Sequence, residues 1–545
     1  MKGYPGLDRR VFLNTAFAAL LLGVAFLIFK PFFGGRAESA PRQTDQGNSP
    51  KAVFQQKDVK DPAARNARLA ELIDRAIDQS ELANARWGVC VVSQKDGQLI
   101  YSRNADRLFT PASNMKVYTT GVALDLLGAD YRWRTSVYAN SPPDATGRID
   151  GSLILYGRGA PDLTSESNKS SNSSLAQLAD DLYRQGVRHI RGSIVGDESY
   201  FRGEDLGDGW QWTDIQWYFG AEPSALSIND NEIDVNILPP TKVGVSPVVN
   251  VSDSRGYVIL QNQLTTVERG DRAKLGIQRG LSDNIVRVWG EFPLGSKGYG
   301  ARLSVHHPAL WAANLFAGLL RAHGITVDGG VNARDSRTPI NERFDPAHAT
   351  ELAFVSSKSL NEIIRTTNKQ SVNLNAELIL RTLGRERAQM IPDPEPVGRE
   401  RGDDENGIAL IRLWLSRSGV SVENLALHDG SGLSRLDLVT PHATTGLLLA
   451  LSKTASADVF RESLPIAGKD GTLAGRLPTL ANEVWAKTGT LTYDNSLSGY
   501  LRVSDGETLV FSIMCNDQTR RTNSLRVIDE VVTAIADYSR PEAQN

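Results

Sequence analysis

The sequence predicts an α+β protein, an antiparallel sheet covered by helices and split by a large β-rich insertion. Three observations predict it. Strand-like segments lie near both ends of the chain, at 87–92 and 99–101 and again at 483–491, 496–503 and 508–515. Segments of helical period lie between them, after Pro111 and after Phe354. From 131 to 345 the pattern becomes short apolar runs punctuated by glycine.

In chain order, Arg9 and Arg10 precede an uncharged stretch, 11–29, closed by Lys30 and Pro31. At about 1.5 Å per residue this stretch just spans a hydrocarbon layer of roughly 30 Å. Residues 1–34 therefore read as a signal or anchor segment. An uncleaved anchor in the cytoplasmic membrane is favoured over a signal peptide cut between Ser39 and Ala40. The run Arg9-Arg10-Val11-Phe12-Leu13 also resembles a twin-arginine export signal. Either route sends the body of the chain to the periplasmic, extracytoplasmic side.

Residues 35–65 read as a polar linker. The first part of the catalytic domain, 66–130, opens on a helix spaced by Leu69, Leu72, Ile73, Ala76 and Ile77, followed by a strand, turn and strand. In 131–345 three pieces, at 149–155, 190–195 and 327–331, are loosely alike and read as reused hairpin units. This region is assigned as inserted β-rich domains, two of them nested. The second part of the catalytic domain, 346–540, starts with a capping box of Ser359 and Glu362 and ends with a helix over 524–538.

Composition narrows the function. Lys and Arg total 60 against 63 acidic residues, a net charge of −3, so nucleic acid is excluded as a partner. Two cysteines, Cys90 and Cys515, exclude a disulfide scaffold and a Cys-based zinc site. The histidines show no metal-ligand spacing: His306 and His307 are adjacent and point apart if extended, and His428 reads as a structural residue beside a turn. No metal and no cofactor is predicted.

The chemistry lies in three short motifs. Ser113-Asn114-Met115-Lys116 follows Pro111 at a helix start, which puts a hydroxyl and an amine on one helical face. A serine needs a base to become a nucleophile, and a lysine serves once burial has lowered its pKa. Ser371-Val372-Asn373 interrupts two helical stretches and offers a second hydroxyl and an amide. Lys487-Thr488-Gly489-Thr490 lies in a strand: a cation, a hydroxyl for a carboxylate, and a glycine that lets an extended substrate approach the backbone. Each motif alone is noise; together, in this order and on these elements, they define a serine acyl-enzyme site.

This combination resembles the penicillin-recognising serine enzymes, with Val372 where aspartate is common. The runs 428–435 (His-Asp-Gly-Ser-Gly-Leu-Ser-Arg), 465–473 and 224–231 narrow the resemblance to the D-alanyl-D-alanine carboxypeptidase/endopeptidase family, peptidase S13, over about 66–540. The resemblance implies a penicillin-binding-protein/β-lactamase-like transpeptidase fold and an insertion between the first two motifs. It implies that Ser113 attacks a terminal D-Ala-D-Ala or a D-alanyl-diaminopimelate crosslink in peptidoglycan peptide stems, and that β-lactam antibiotics acylate it. Lys116 is then the base, Ser371 a proton relay, Asn373 and Lys487 hold the site, and Thr488 takes the terminal carboxylate. The N–H groups of Ser113 and Thr490 form the oxyanion hole, and Arg435 binds the side-chain carboxylate of diaminopimelate. The family's Gly-Asp-Pro-Thr-Leu reads here Gly159-Ala160-Pro161-Asp162-Leu163, so Asp162 either replaces the missing acid or caps a turn. Cys90 and Cys515 fall on strands that neighbour one another in such a fold, which leaves both a disulfide and two buried thiols open. The alternatives are a β-lactamase-like hydrolase and a catalytically silent peptidoglycan-binding protein.

Overall fold

The computed structural model describes residues 62–539, apart from 166–172, 253–255, 393–399 and 520–523. The anchor expected at 11–29 lies outside the described residues, and none of the described helices is long and apolar enough to cross a membrane. Helix α1 (Pro62–Asp78) leads into β1 (Arg86–Ser93) and β2 (Leu99–Arg103); a short 3-10 turn at Ala112–Asn114 then opens α2 (Met115–Leu127).

The next stretch holds β3 (Arg134–Ala139), β4 (Arg148–Ile149), β5 (Leu153–Tyr156), α3 (Ser174–Arg184), β6 (His189–Ile190) and β7 (Ile194–Asp197). It continues through β8 (Glu232–Ile237), β9 (Val249–Val251), β10 (Ile259–Val267), β11 (Lys274–Arg279), β12 (Ile285–Pro293) and β13 (Tyr299–Ser304). It closes with α4 (Pro308–Ala322), β14 (Thr326–Val327), β15 (Val331–Arg334) and β16 (Thr350–Ser356). Helices α5 (Leu360–Gln370), α6 (Asn373–Arg387), α7 (Asp403–Arg417), α8 (Pro441–Leu451) and α9 (Ala457–Ser463) follow, then β17 (Val484–Leu491), β18 (Asp494–Arg502), β19 (Thr508–Asn516) and α10 (Ser524–Ala536).

The strands from the two ends of the chain form one antiparallel sheet in the order β17-β18-β19-β1-β2. One face buries Leu69, Ile73 and Ile77 of α1 with Val527, Ile528 and Val531 of α10. The other face packs under α2 and α8. Cys90 lies opposite Ser512, whereas Cys515 lies opposite Trp87. Side chains alternate along a strand, so this three-residue offset turns the two thiols to opposite faces. Thr445 of α8 donates to the Cys90 sulfur at 3.3 Å, and Cys515 sits in the core with α1 and α10. Both cysteines are free, and the disulfide left open by the sequence is not formed.

The chain leaves and returns side by side: Ser357 donates to the Trp133 carbonyl and Leu360 to that of Tyr131. Strand β16 pairs with β3, which carries the sheet of this region past residue 345 to Ser356. The three similar pieces are not hairpins. Each is a two-residue strand, a glycine turn and a longer strand (β4–β5, β6–β7, β14–β15), and the three lie parallel. Glycine is required where they cross, because a Cβ on Gly192 would stand 2.3 Å from the Gly151 backbone and one on Gly329 2.6 Å from that of Gly192.

The region also holds two helices that the β-rich reading passed over. Leu175, Leu178, Ala179 and Leu182 of α3 recur at helical spacing and are buried. His306 and His307 do not point apart: His307 has φ 54° as it caps α4, and this bend brings the two ring centroids within 3.9 Å. The expected capping box is present, with the Glu362 carboxylate accepting the N–H and hydroxyl of Ser359 at 3.0 and 2.8 Å.

Candidate active site

Ser113 sits in the 3-10 turn that opens α2. The residue before it, Ala112, has φ 49°, a conformation an alanine holds only under constraint. Gly432 (φ 77°) packs against it so closely that a Cβ there would lie 1.8 Å from the Ala112 carbonyl. The glycine of the Asp-Gly-Ser-Gly run thus lets that loop press on the turn carrying the serine.

Lys116, one turn further along α2, is wholly buried. Its Nζ lies 3.1 Å from Ser113 Oγ, 2.6 Å from Asn373 Oδ1 and 2.7 Å from the Ser431 carbonyl. Two of these partners can only accept. A neutral amine gives them its two hydrogens and turns its lone pair to the serine hydroxyl. Burial pulls the Lys116 amine down to about 8, against the opposing pull of Asp429, Glu377 and Asp437.

Ser371 and Asn373 are brought to the site by a break in the helices. Ser371 ends α5 in a left-handed conformation, φ 60°, and α6 restarts at Asn373. The amide of Asn373 is held at both ends: Oδ1 faces Lys116, and Nδ2 donates to the Phe219 carbonyl at 2.8 Å. Phe219 belongs to the loop between β7 and β8, so a backbone oxygen of the inserted region orients this amide.

Lys487 of β17 is also fully buried, and donates to Ser371 Oγ at 2.9 Å and to the Thr488 carbonyl at 2.7 Å. Burial holds its amine well below the usual lysine range, and the nearby Lys116 lowers it further. Strand β17 is the edge of its sheet and abuts the serine turn: Asn114 Nδ2 donates to the Lys487 carbonyl at 3.0 Å and to Ser496 Oγ at 2.7 Å. Gly489 is needed here, because a Cβ would stand 2.2 Å from Ser496 Oγ and 2.6 Å from the Pro111 carbonyl. The space left by its missing side chain is filled by the protein itself, not kept open along the strand. On the outer edge Ala486 N–H donates to the Pro465 carbonyl, so alternation puts the N–H groups of Thr488 and Thr490 on that same edge. The hydroxyls of Thr488 and Thr472 meet at 2.7 Å.

The two remaining sequence candidates sit apart from this cluster. Arg435 pairs with Asp494 at 2.7 Å and donates to the Thr492 carbonyl at 3.0 Å, at the turn between β17 and β18. Asp162 accepts the Lys358 N–H at 2.9 Å, just before α5 begins. Ser371 ends that helix, about 16 Å away at 1.5 Å per residue. Among the described residues no group of three or more His, Cys, Asp or Glu is placed to hold a metal ion.

Several participants were not foreseen. Glu377, Asp429 and Asp437 lie buried near Lys116; Asn114 links the serine turn to β17; Thr472 stands beside Thr488; and Asp214, half-buried, feels the charge of Arg435. Asp429 and Thr472 belong to runs singled out in the sequence, which was the available signal for them.

A family model described as the D-Ala-D-Ala carboxypeptidase 3 (S13) family matches residues 69–537. A D-alanyl-D-alanine carboxypeptidase of Actinomadura sp. (strain R39) is 34% identical over 498 residues, 88% of this chain and 87% of that protein. The D-alanyl-D-alanine carboxypeptidase DacB of Haemophilus influenzae is 26% identical over 460 residues, 83% of this chain and 88% of that one. The crystal structure of penicillin binding protein 4 (dacB) from Haemophilus influenzae matches with a TM-score of 0.73 at 25% identity, covering 87% of this chain and 99% of that chain.

Proposed function

This chain belongs to the D-Ala-D-Ala carboxypeptidase 3 (S13) family, and on that premise we propose how its residues open a D-alanyl-D-alanine bond of a peptidoglycan stem through an acyl-enzyme on Ser113. The observation that carries this reading is the environment of Lys116, an amine with two acceptors and one hydroxyl within 3.1 Å, whose neutral form points its lone pair at Ser113.

Ser113 Oγ attacks the carbonyl carbon as Lys116 takes its proton. The oxyanion is received by the N–H groups of Ser113 and of Thr490 on the open edge of β17. The substrate's terminal carboxylate lies at Thr488, next to Lys487. The proton taken by Lys116 is relayed through Ser371, which is bonded to Lys487, to the nitrogen of the leaving D-alanine as the C–N bond breaks, so Lys116 is neutral again, and Asn373 fixes the geometry from beside the base. Water then attacks the ester with Lys116 again as base, which restores Ser113. β-Lactams acylate the same serine.

Arg435 and Asp214 place a cation and a carboxylate near each other, which suits a diaminopimelate side chain that ends in both an amine and a carboxylate. We assign Asp162 to the start of α5 instead. The substrate places the enzyme on the extracytoplasmic side, with 11–29 as its membrane anchor. The two parts of the catalytic domain flank the inserted region.

A fluorescent penicillin tests the reading. We expect label on wild type at Ser113, none on Ser113→Ala, and release of D-alanine from a D-Ala-D-Ala peptide by wild type. An unlabelled wild type points to a silent binding protein; rapid penicillin hydrolysis without D-alanine release points to a β-lactamase. Digestion of crosslinked muropeptides then separates carboxypeptidase from endopeptidase action.

A further inference from the structure

The three motifs leave a group of buried acids without a role. Glu377, Asp429 and Asp437 are each at most 1% exposed. Burying a carboxylate is costly unless it is paired or protonated. Asp429 is well paired: it accepts the N–H groups of Gly432 at 2.6 Å and Ser434 at 2.8 Å, the Trp210 indole at 2.9 Å and the Ser431 hydroxyl at 3.2 Å. Asp437 accepts the His428 N–H at 2.6 Å on one oxygen, while its other oxygen finds no donor. Burial and the adjoining Asp429 push Asp437 well above the usual carboxylate range.

Glu377, on α6, is aimed at the same loop. It accepts the N–H of Ser431 at 2.8 Å and of Gly430 at 3.1 Å. The carbonyl of Ser431 in turn lies 2.7 Å from Lys116 Nζ. Ser431 is thus gripped at its N–H by an acid and at its carbonyl by the base. Thr119, on the same helix as Lys116, donates to the Gly430 carbonyl at 2.8 Å and ties the loop down from that side.

We propose that Glu377 is a positioning residue of the reaction: it aims the Ser431 carbonyl at Lys116, and it supplies buried counter-charge when the amine has taken the serine proton. The proposal rests on the reading of Ser113 as nucleophile and Lys116 as base. The charged and titratable groups around the amine are Glu377 and Arg381 of α6, Asp429 and Asp437 of the loop, and Lys487 of β17. Burial disfavours the charged form of both groups, raising the Glu377 carboxyl and lowering the Lys116 amine, so each is charged most readily while the other is.

The test is the rate of Ser113 acylation by a fluorescent penicillin, from about pH 6 to about pH 10, in wild type, Glu377→Gln, Glu377→Asp and Asp437→Asn. Glu377→Gln removes the counter-charge, so the protonated amine loses stability. The rising limb of the profile moves to lower pH by about one unit and the plateau falls. Glu377→Asp keeps the charge but reaches less far: its limb stays at the wild-type position and its plateau falls. Asp437→Asn keeps an acceptor for the His428 N–H, does not bond the Ser431 peptide, and leaves the limb in place.

A folded Glu377→Gln with the wild-type limb overturns the proposal. So does an Asp437→Asn limb displaced as far as that of Glu377→Gln. If Glu377→Gln does not fold, Glu377→Asp decides: a lowered plateau on an unmoved limb supports the proposal, and a wild-type plateau overturns it. Absence of label on wild type sinks the assignment of Ser113 instead.

Discussion

Lys116 and Lys487 are both fully buried, yet the ground around them differs in charge. Asp429, Glu377 and Asp437 stand near Lys116; Lys487 is faced by Lys116, a serine hydroxyl and a carbonyl. Burial lowers both amines, and among the described residues acids draw back only the first. The contrast separates two uses of one residue type. On the proposed reading Lys116 would cycle between neutral and charged with acids built in beside it, whereas Lys487, which has no acid beside it among the described residues, would meet a carboxylate only in a substrate.

The contrast breaks most visibly on removal of the base. Lys116→Met should lower the rate of Ser113 acylation on the order of 10³-fold for every substrate, as loss of general-base catalysis does. Lys487→Met should cost about 10²-fold in kcat/KM, the worth of a charge-assisted hydrogen bond, and mainly for peptides ending in a free carboxylate. An amidated peptide should lose far less. Equal losses on both peptides would remove the distinction between the two lysines.

The finest test is the proton count. Burial lowers the Lys116 amine to about 8, so if it is the base kcat/KM should rise with pH up to about 8 and then level off. An anion beside Lys487 raises its depressed pKa, so carboxylate binding should take up a fraction of a proton. Calorimetry of a D-Ala-D-Ala peptide binding to Ser113→Ala, in buffers of different ionisation enthalpy, reads that uptake. Proton release would reverse the assignment.

Much of this was legible in the sequence because it is local. Ser113 and Lys116 share a turn, the Ser371–Asn373 break shows as a polar gap between helical patterns, and the terminal strands alternate clearly. Of the acids near Lys116, Asp429 lay in a run marked in the sequence, whereas Glu377 and Asp437 were not legible. Glu377 lies in a helix among Leu374, Ala376, Leu378, Ile379 and Leu380, which mark a buried stretch but not what an acid there would pair with; its partners come from residues 430 and 431, over fifty positions away. Gly489 was legible as a residue that must lack a side chain, but what occupies the space depends on Pro111 and Ser496, which only tertiary packing supplies. The parallel β4–β5, β6–β7 and β14–β15 units were visible as a repeat and misread as hairpins, since a glycine turn between short strands looks alike in both.

The Phe219 carbonyl that holds the Asn373 amide has a consequence for engineering. A minimal enzyme trimmed by excising residues 134–356 would keep the Ser113, Ser371 and Lys487 motifs and the whole five-stranded sheet. It would also leave one end of that amide unmoored, free to swing its nitrogen toward Lys116 and present a donor where the base requires an acceptor. The segment that interrupts the catalytic sequence is therefore no passenger, and shortening it has to preserve the stretch that ends at Phe219.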